Sequence, residues 1–316
     1  MKKKMHLKKG IVLLAWMVVL LVTGGCGREK SWEKHITEET VYIEGLEGEY
    51  TFLFLTDTHV VVMDEQATEQ EAENEAARYL MMMNEEGVSA AEQFPEWIQY
   101  ANEMEVDAVL LGGDIIDTPS YANLQWLNEQ LSQLKMPYLY VPGNHDWTYP
   151  WEYMTEVGRA TYLPLLEPFM QGNTAVQLLD FGEFFVLGID DSSGQVDREV
   201  LCVYEELLMQ GCPVIIVAHV PFLTQSVLGK AKEMWDCPVV IGAGAYGGIY
   251  PDINSEEFMK KITAADSPME LILAGHVHFY DRDFVWGEKE LLQLVGGAGY
   301  QGNAILIHIT GEENHD

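Results

Sequence analysis

Five short apolar runs, each followed almost at once by metal-ligating side chains, constrain the fold of this chain more than any other feature. The runs cover residues 51–55, 108–111, 138–141, 214–218 and 271–274. They are followed by Asp57-Thr58-His59, Gly113-Asp114-Ile115-Ile116-Asp117, Gly143-Asn144-His145-Asp146, His219, and Gly275-His276-Val277-His278. Runs of this kind are typical of strands buried on both faces of a parallel or mixed sheet. Because ligands bind at the carboxyl ends of such strands, we expect these side chains to converge on one crevice.

The side chains at these junctions are imidazoles, carboxylates and one amide, with no thiolate among them. Such a donor set favours hard to borderline divalent ions such as Mn, Fe or Zn. Taken singly, each residue also has a structural interpretation. His219 is then a hydrogen-bonded core histidine, and Asp57 or Asp117 is a helix or turn cap. The five junctions together favour a shared metal site.

The ordered blocks D-x-H, G-D-x-x-D, G-N-H-D, a single H and G-H-x-H resemble those of the calcineurin-like metallophosphoesterases. The resemblance covers roughly residues 50–309, and the ordered set is much more specific than any one block. It implies an α/β fold, a four-layer αββα sandwich with two mixed β-sheets, of the metallo-dependent phosphatase-like type.

The resemblance also implies two divalent metal ions, Mn, Fe or Zn. The first would be held by Asp57, His59, Asp114 and His278, and the second by Asp114, Asn144, His219 and His276. His145 would be the general acid that protonates the leaving group or steadies the phosphoryl oxygens. Asp117 and Asp146 would orient the ligands or the His145 imidazole. Trp147 is a candidate for contact with the leaving group, with core packing as the alternative.

This ligand set predicts hydrolysis of phosphate esters. Two divalent ions about 3.5 to 4 Å apart activate a water and hold the phosphoryl oxygens during an in-line displacement. Asp57 and Asp114 leave such a centre net positive, and Asn144 as a neutral ligand removes none of that charge. We therefore expect a metallophosphoesterase acting on phosphomono- or diesters. The alternative is a surface binding protein that keeps the metal site without turnover, against which the general acid His145 argues.

The first 26 residues predict export from a bacterial cytoplasm. Residues 1–9 carry five lysines and no acid, residues 11–22 are apolar, and Thr23-Gly24-Gly25 precede Cys26. This pattern is typical of a signal segment, and the small residues before Cys26 resemble a lipobox, which implies cleavage there and lipid attachment. An uncleaved anchor or a plain secretion signal are the alternatives. The expected location is outside the cytoplasm, on the membrane through an N-terminal lipid, or secreted.

The rest of the chain is predicted to form one large domain. Residues 26–48 would hold the lipidated cysteine and a polar tether, 49–310 the phosphoesterase domain, and 311–316 a tail. An acidic helical insertion is predicted over 64–88, either as a flap over the site or as a surface helix packing its Met and Leu face on the core. The glycine-rich segment 241–250 lacks the Gly-Lys-Ser/Thr of a phosphate-binding loop.

Strong acidity limits the partners. The chain has 18 basic and 50 acidic residues and a net charge of −32, or about −37 without the five lysines of residues 1–25. Because such a surface repels nucleic acid and anionic lipid headgroups, we expect a small phosphoester substrate and no nucleic acid. Solubility or a salty habitat is the alternative explanation. Outside the cytoplasm a Cys212–Cys237 disulfide is conceivable, but the sequence does not test its geometry.

Overall fold

The computed structural model describes residues 32–149, 152, 154–242 and 248–311. The predicted signal segment, Cys26 and the start of the tether lie outside the described residues. So do residues 243–247 of the glycine-rich segment and 312–316 of the tail. Within the described ranges, no helix is both long enough and apolar enough to cross a membrane.

The first sheet, as far as the structure describes the chain, has five strands. They are β1 (His35–Tyr42), β2 (Tyr50–Leu55), β3 (Ala108–Leu111), β4 (Tyr138–Tyr140) and β11 (Asn303–Thr310). Their order is β1-β11-β2-β3-β4, with β11 antiparallel to β2 and all other pairs parallel. The parallel strands β2, β3 and β4 therefore end at the same edge.

The second sheet has six strands among the described residues. They are β5 (Val176–Asp180), β6 (Phe185–Ile189), β7 (Val214–Val217), β8 (Met269–Ala274), β9 (Asp281–Val285) and β10 (Leu291–Val295). Their order is β5-β6-β7-β8-β10-β9, antiparallel at the two outer pairs and parallel between them. The neighbours β7 and β8 carry the two remaining ligand blocks at their carboxyl ends.

The helices lie between these strands. They are α1 (Glu69–Met81), α2 (Ala90–Met104), α3 (Tyr121–Leu131), α4 (Asn144–Trp147), α5 (Glu156–Tyr162), α6 (Arg198–Leu208), α7 (Gln225–Met234) and α8 (Ile253–Ile262), with 3-10 turns at Leu163–Phe169 and Gly299–Gln301. Capping boxes fix the starts of α1 and α2, where Thr68 pairs with Glu71 and Ser89 pairs with Glu92. Each box satisfies two backbone amides that a helix start leaves free.

The two sheets pack face to face on one apolar core. Phe52 and Phe54 of β2 share a buried cluster with Val186 and Val217 of the second sheet and with Phe184, which directly precedes β6. The Phe52 and Phe184 ring centroids lie 6.1 Å apart. The helices α6 and α8 cover the other face of the second sheet, while α2 and α3 connect parallel strands of the first. The predicted four-layer αββα sandwich with two mixed sheets is confirmed.

The five apolar runs correspond to β2, β3, β4, β7 and β8, but they are divided between the two sheets. The ligand crevice therefore lies between two sheets and not along one. The predicted tether over 26–48 is corrected as well, because residues 35–42 form β1 and pair with β11 along their whole length. Its polar sequence concealed this strand, since it lies at a sheet edge with Val41 as its one buried side chain. Cys212 and Cys237 are both free.

Candidate metal centre

The ligand loops of the two sheets are joined directly by hydrogen bonds. The backbone amide of His276, after β8, donates to both carboxylate oxygens of Asp57, after β2, at 3.1 and 2.9 Å. The His219 ring, after β7, donates from Nδ1 to the carbonyl oxygen of Gly112, after β3, at 2.9 Å. These bonds bring the predicted ligands of both sheets to one place.

The first ligand cluster consists of Asp57, His59 and His278, whose ligand atoms all lie within 4.8 Å of one another. Nε2 of His59 lies 3.1 Å from Nε2 of His278, which in turn lies 3.4 Å from Asp57 Oδ1. Two nitrogens that each ligate one ion at about 2.1 Å lie about 3.0 to 3.4 Å apart. The spacing therefore fits a shared cation.

The second cluster consists of Asp114, His219 and His276. Nε2 of His219 lies 3.2 Å from Nδ1 of His276 and 3.3 Å from Asp114 Oδ2. The same Asp114 oxygen lies 3.7 Å from Nε2 of His59, in the first cluster. Asp114 thus lies between the clusters, as a bridging carboxylate requires. His145 also lies within 4.8 Å of His59 and Asp114.

Asn144 supplies an independent test of whether a cation fits. Its side chain is 4% exposed, and its Oδ1 atom is buried with no hydrogen-bond partner among the described residues. A buried acceptor without a donor is destabilising, and native structures rarely keep one. A cation beside the two clusters satisfies this oxygen. The residues present therefore fit a pair of divalent ions with nitrogen and oxygen ligands.

The chain also selects which nitrogen two histidines present. His59 donates from Nδ1 to Asp117 Oδ1 at 3.0 Å, and His219 donates from Nδ1 to a backbone carbonyl. A neutral imidazole with a protonated Nδ1 keeps its lone pair on Nε2. Nε2 is the atom that each ring directs into its cluster, so the ligand atoms are prepared by neighbouring acceptors.

Most of the ligands have a strained backbone. Among the described non-glycine residues, positive φ angles occur at Glu105 and Gln171 and at five predicted ligands. These ligands are Asp57 (53°), His59 (47°), Asp114 (52°), His276 (70°) and His278 (62°). A left-handed backbone conformation is uncommon outside glycine and costs free energy. It persists where the surrounding structure enforces it, often at functional sites. The loops therefore fix the ligand positions through the main chain.

Asp146 holds two of these loops together. Its carboxylate accepts hydrogen bonds from the amides of Asp114, Ile115, Ile116 and Gly143 at 2.7 to 3.0 Å, and from the Tyr140 hydroxyl at 2.6 Å. Burial, followed by the charge of Asp114, raises the pKa of Asp146 to about 7 against the effect of these bonds. The structure thus places Asp146 behind the Asp114 loop.

Asp117 connects His145 to a residue from the insertion. Arg78 of α1 donates from Nε to Oδ2 at 2.6 Å and from Nη2 to Oδ1 at 2.5 Å, and His145 Nδ1 lies 3.0 Å from Oδ1. Burial alone would raise the pKa of Asp117, but the hydrogen bonds from Arg78, His145 and His59 hold it far below its usual value. Burial alone would lower the pKa of His145. The charge of Asp114 and the hydrogen bond with Asp117 outweigh burial, so the pKa of His145 is raised above its usual value.

Arg78 was not predicted from the sequence. It is the one basic residue in the helix sequence EQEAENEAARYLM, and it is buried together with Glu75. Its guanidinium carbon lies 4.8 Å from the Tyr149 ring centre, and that ring stacks near His145 at 6.2 Å. A single arginine in an acidic helix between two ligand blocks is the signal that was available.

Asp191 was missed as well. It follows the end of β6, and its carboxylate accepts from the amides of His219 and Val220 at 2.9 to 3.1 Å. Burial raises the pKa of Asp191 to about 7, partly offset by the charge of His219. An aspartate at another strand end was the available signal, and its contacts show that it positions the His219 loop.

Trp147 is buried, at 3% exposure, and its indole N–H donates to Ser192 Oγ at 2.9 Å. It also lines a cavity of about 250 Å³ together with Arg78, Asp117 and Tyr149. Both interpretations of Trp147 therefore have a structural basis, since one face of its environment is packed and the other borders the cavity.

The family follows from a comparison with known proteins. A model of the calcineurin-like phosphoesterases matches residues 50–280. The chain belongs to this family. Two proteins of Helicobacter pylori, from strains 26695 and J99, are each named an uncharacterized metallophosphoesterase and are each 25% identical over 223 residues. The match covers 68% of this chain and 50% of each relative, so the chain spans about half the length of the relatives it matches.

Among solved structures, a dimetal phosphatase from Danio rerio is similar, with a TM-score of 0.43 and 13% identity over 80% of this chain and 88% of that chain. The resemblance read from the five blocks is confirmed by this family match, and the two relatives carry the name metallophosphoesterase. Together with the two ligand clusters, the phosphoesterase family indicates a divalent metal centre.

Proposed function

We propose that this protein hydrolyses phosphomono- or diesters outside the cytoplasm with a water activated by two divalent ions. The observation that carries the proposal is the unpartnered Oδ1 of buried Asn144, beside two ligand clusters between which Asp114 lies. No donor among the described residues forms a hydrogen bond with that oxygen. Coordination of a metal ion would satisfy it.

The residues that would hold the ions follow from the clusters. Asp57, His59, Asp114 and His278 would hold the first, and Asp114, Asn144, His219 and His276 the second. When bound, two such ions supply an activated water and positive charge at the phosphoryl oxygens. Asp57 and Asp114 are the two carboxylates of this set, so the loaded centre attracts an anionic ester.

His145 is placed to protonate the leaving group. Its amide donates to Asp114 Oδ1 at 2.7 Å, which fixes its backbone beside the ligand clusters. Its Nδ1 lies 3.0 Å from Asp117 Oδ1 and donates to it, so Nε2 is the atom that carries a transferable proton. A carboxylate behind an imidazole stabilises its protonated form, which a general acid requires.

The extracytoplasmic location is proposed from the sequence of residues 1–26 alone. The lysine-rich start, the apolar stretch and the small residues before Cys26 favour a lipid-anchored protein. In a bacterial host, we expect the wild type in the membrane fraction and carrying a labelled fatty acid. Cys26→Ser should carry no label and should leave the membrane fraction. Equal fractionation of the two proteins would count against the anchor.

The activity is tested with p-nitrophenyl phosphate and bis-p-nitrophenyl phosphate on Mn-supplemented protein. We expect turnover of at least one ester, reduced in His145→Asn by about a hundredfold. The variant should keep its metal content, which separates loss of the acid from loss of the site. Folded, metal-loaded protein that is inactive on both esters and on a broad phosphoester panel would instead indicate a binding protein that retains the metal site.

A further inference from the structure

A cavity of about 250 Å³ lies beside the metal centre, and no residue of the two ligand clusters lines it. Four aromatic side chains line it, those of Tyr121, Trp147, Tyr149 and Tyr162. Arg78 and Asp117, which contact the His145 ring, line it as well. The space is at the small end of ligand pockets. The leaving group whose oxygen His145 would protonate is therefore adjacent to this cavity.

Three carboxylates line the same cavity. They belong to Asp64, Glu71 and Glu75, all from the segment that leads into α1 or from α1 itself. Asp64 accepts from the amides of Gln66 and Ala122, and Glu71 caps the start of the helix. These bonds position the carboxylates without neutralising their charge.

Glu75 is the one buried residue among these three. It is 6% exposed, and the hydrogen bond found for it is the one that its Oε2 accepts from the Asp64 amide at 2.9 Å. Burial raises the pKa of Glu75 above its usual value. No lysine, arginine or histidine of the described chain forms an ion pair with it within 4.0 Å. A buried carboxylate without a cation is costly unless a ligand supplies one.

The arginine that lines the cavity does not compensate these carboxylates. Arg78 gives two hydrogen bonds to Asp117, so its charge is matched by that carboxylate. Asp64, Glu71 and Glu75 are left as excess negative charge in a cavity that aromatic rings also line. Carboxylates and aromatic faces together attract ammonium groups, and they repel a second anionic group on the substrate.

We propose that this cavity receives the leaving alcohol of the substrate and selects one that carries an ammonium group. This inference rests on the proposed hydrolysis of phosphate esters and names the substrate class at the same site. The ammonium contacts the carboxylate of Glu75 and the aromatic rings of the lining, and the ester oxygen lies toward His145.

The sharpest substrate pair is choline phosphate and 3,3-dimethylbutyl phosphate, which have the same shape and differ by one positive charge. Phosphate release by the Mn-loaded protein gives the kcat/KM for choline phosphate divided by that for 3,3-dimethylbutyl phosphate. In Glu75→Gln we expect this ratio to fall about fivefold. The intrinsic difference between the two leaving groups cancels in the comparison of variant with wild type. Glu73→Gln, which removes one exposed charge from the same helix, should leave the ratio unchanged.

A second variant and a binding measurement protect the test. Tyr121 is 61% exposed, so Tyr121→Leu removes a ring of the cavity with little risk to folding, and we expect it to lower the same ratio. Choline and 3,3-dimethylbutanol are also titrated against the fluorescence of the protein, in which Trp147 borders the cavity. We expect choline to bind more tightly, with that preference lost in Glu75→Gln.

The outcomes separate the two proposals. If p-nitrophenyl phosphate is hydrolysed but Glu75→Gln and Tyr121→Leu keep the wild-type ratio, the ammonium pocket is overturned and the phosphoesterase stands. If no ester is hydrolysed, the proposed activity fails, and the choline titration alone decides the cavity. Equal binding of choline and its neutral analogue shows recognition of shape without charge and overturns the proposal.

Discussion

The ligand loops and helix α1 form two sides of one site, but they are held in different ways. The loops are fixed by the main chain, through five left-handed ligand residues and the amides bound to Asp146 and Asp57. Helix α1 is held at the site by a side-chain pair, Arg78 with Asp117, and its start is capped by Thr68. Its far end exposes Leu80 and Met81.

The loops leave very little room for change. A Cβ atom at Gly143 would lie 2.2 Å from Asp114 Oδ1, and one at Gly113 would lie 2.5 Å from the His219 ring. Helix α1 has no glycine at which an added side chain would clash in this way. Its own residues supply side chains that line the cavity. We infer that the loops supply the chemistry and that α1 supplies selection and support. The predictions below separate these roles.

The largest effect is expected at Asp114, which lies between both clusters. In Asp114→Asn we expect kcat/KM to fall on the order of a thousandfold, because both ions lose a shared anionic ligand. Activity on p-nitrophenyl phosphate with saturating Mn measures it. A variant within tenfold of the wild type would show that the loops do not carry the chemistry.

The next effect is expected at Arg78, on the helix. In Arg78→Met, Asp117 loses its charged partner and holds the His59 and His145 rings less firmly, so kcat/KM should fall about 10- to 100-fold. Arg78→Lys should recover part of this loss, since lysine keeps the charge without the planar fork. Arg198→Met, at an exposed position of α6, is the matched control and should remain active. Equal activity of Arg78→Met and the control would remove α1 from the site.

A smaller effect is expected at Asn144. In Asn144→Asp, an added negative charge weakens the attraction of the loaded centre for an anionic ester, and we expect turnover to fall about tenfold. Metal content, measured on the same preparation, should not decrease, because carboxylate oxygen remains a ligand. An unchanged rate would contradict the charge argument for the amide ligand.

The smallest effect is expected at Thr68, the cap of α1. In Thr68→Ala, loss of the cap should destabilise the protein by about 1 kcal/mol. Thermal unfolding measures the change, and kcat/KM should stay within about threefold of the wild type because Arg78 is retained. A loss of activity as large as that of Arg78→Met would show that the placement of the helix, and not the arginine contact, controls the site.

The sequence predicted the loops much better than the helix side of the site. Strands β2 and β3 are short apolar runs with ligands after them, so their bounds and their ligands are readable locally. Arg78 and Asp117 lie 39 positions apart, and their contact depends on how α1 packs. The edge strands β1 and β9 are polar, and the pairing that defines them is made by backbone atoms, which no residue pattern reveals.

The most direct test of the central claim is the metal content of the folded protein. Protein supplemented with Mn and then freed of loose ions should retain two ions per chain by elemental analysis. Asp114→Asn, folded to the same extent, should retain fewer. Correctly folded wild type that retains no ions after supplementation would contradict a dinuclear centre at the seven predicted ligand residues. It would also contradict the proposed hydrolysis.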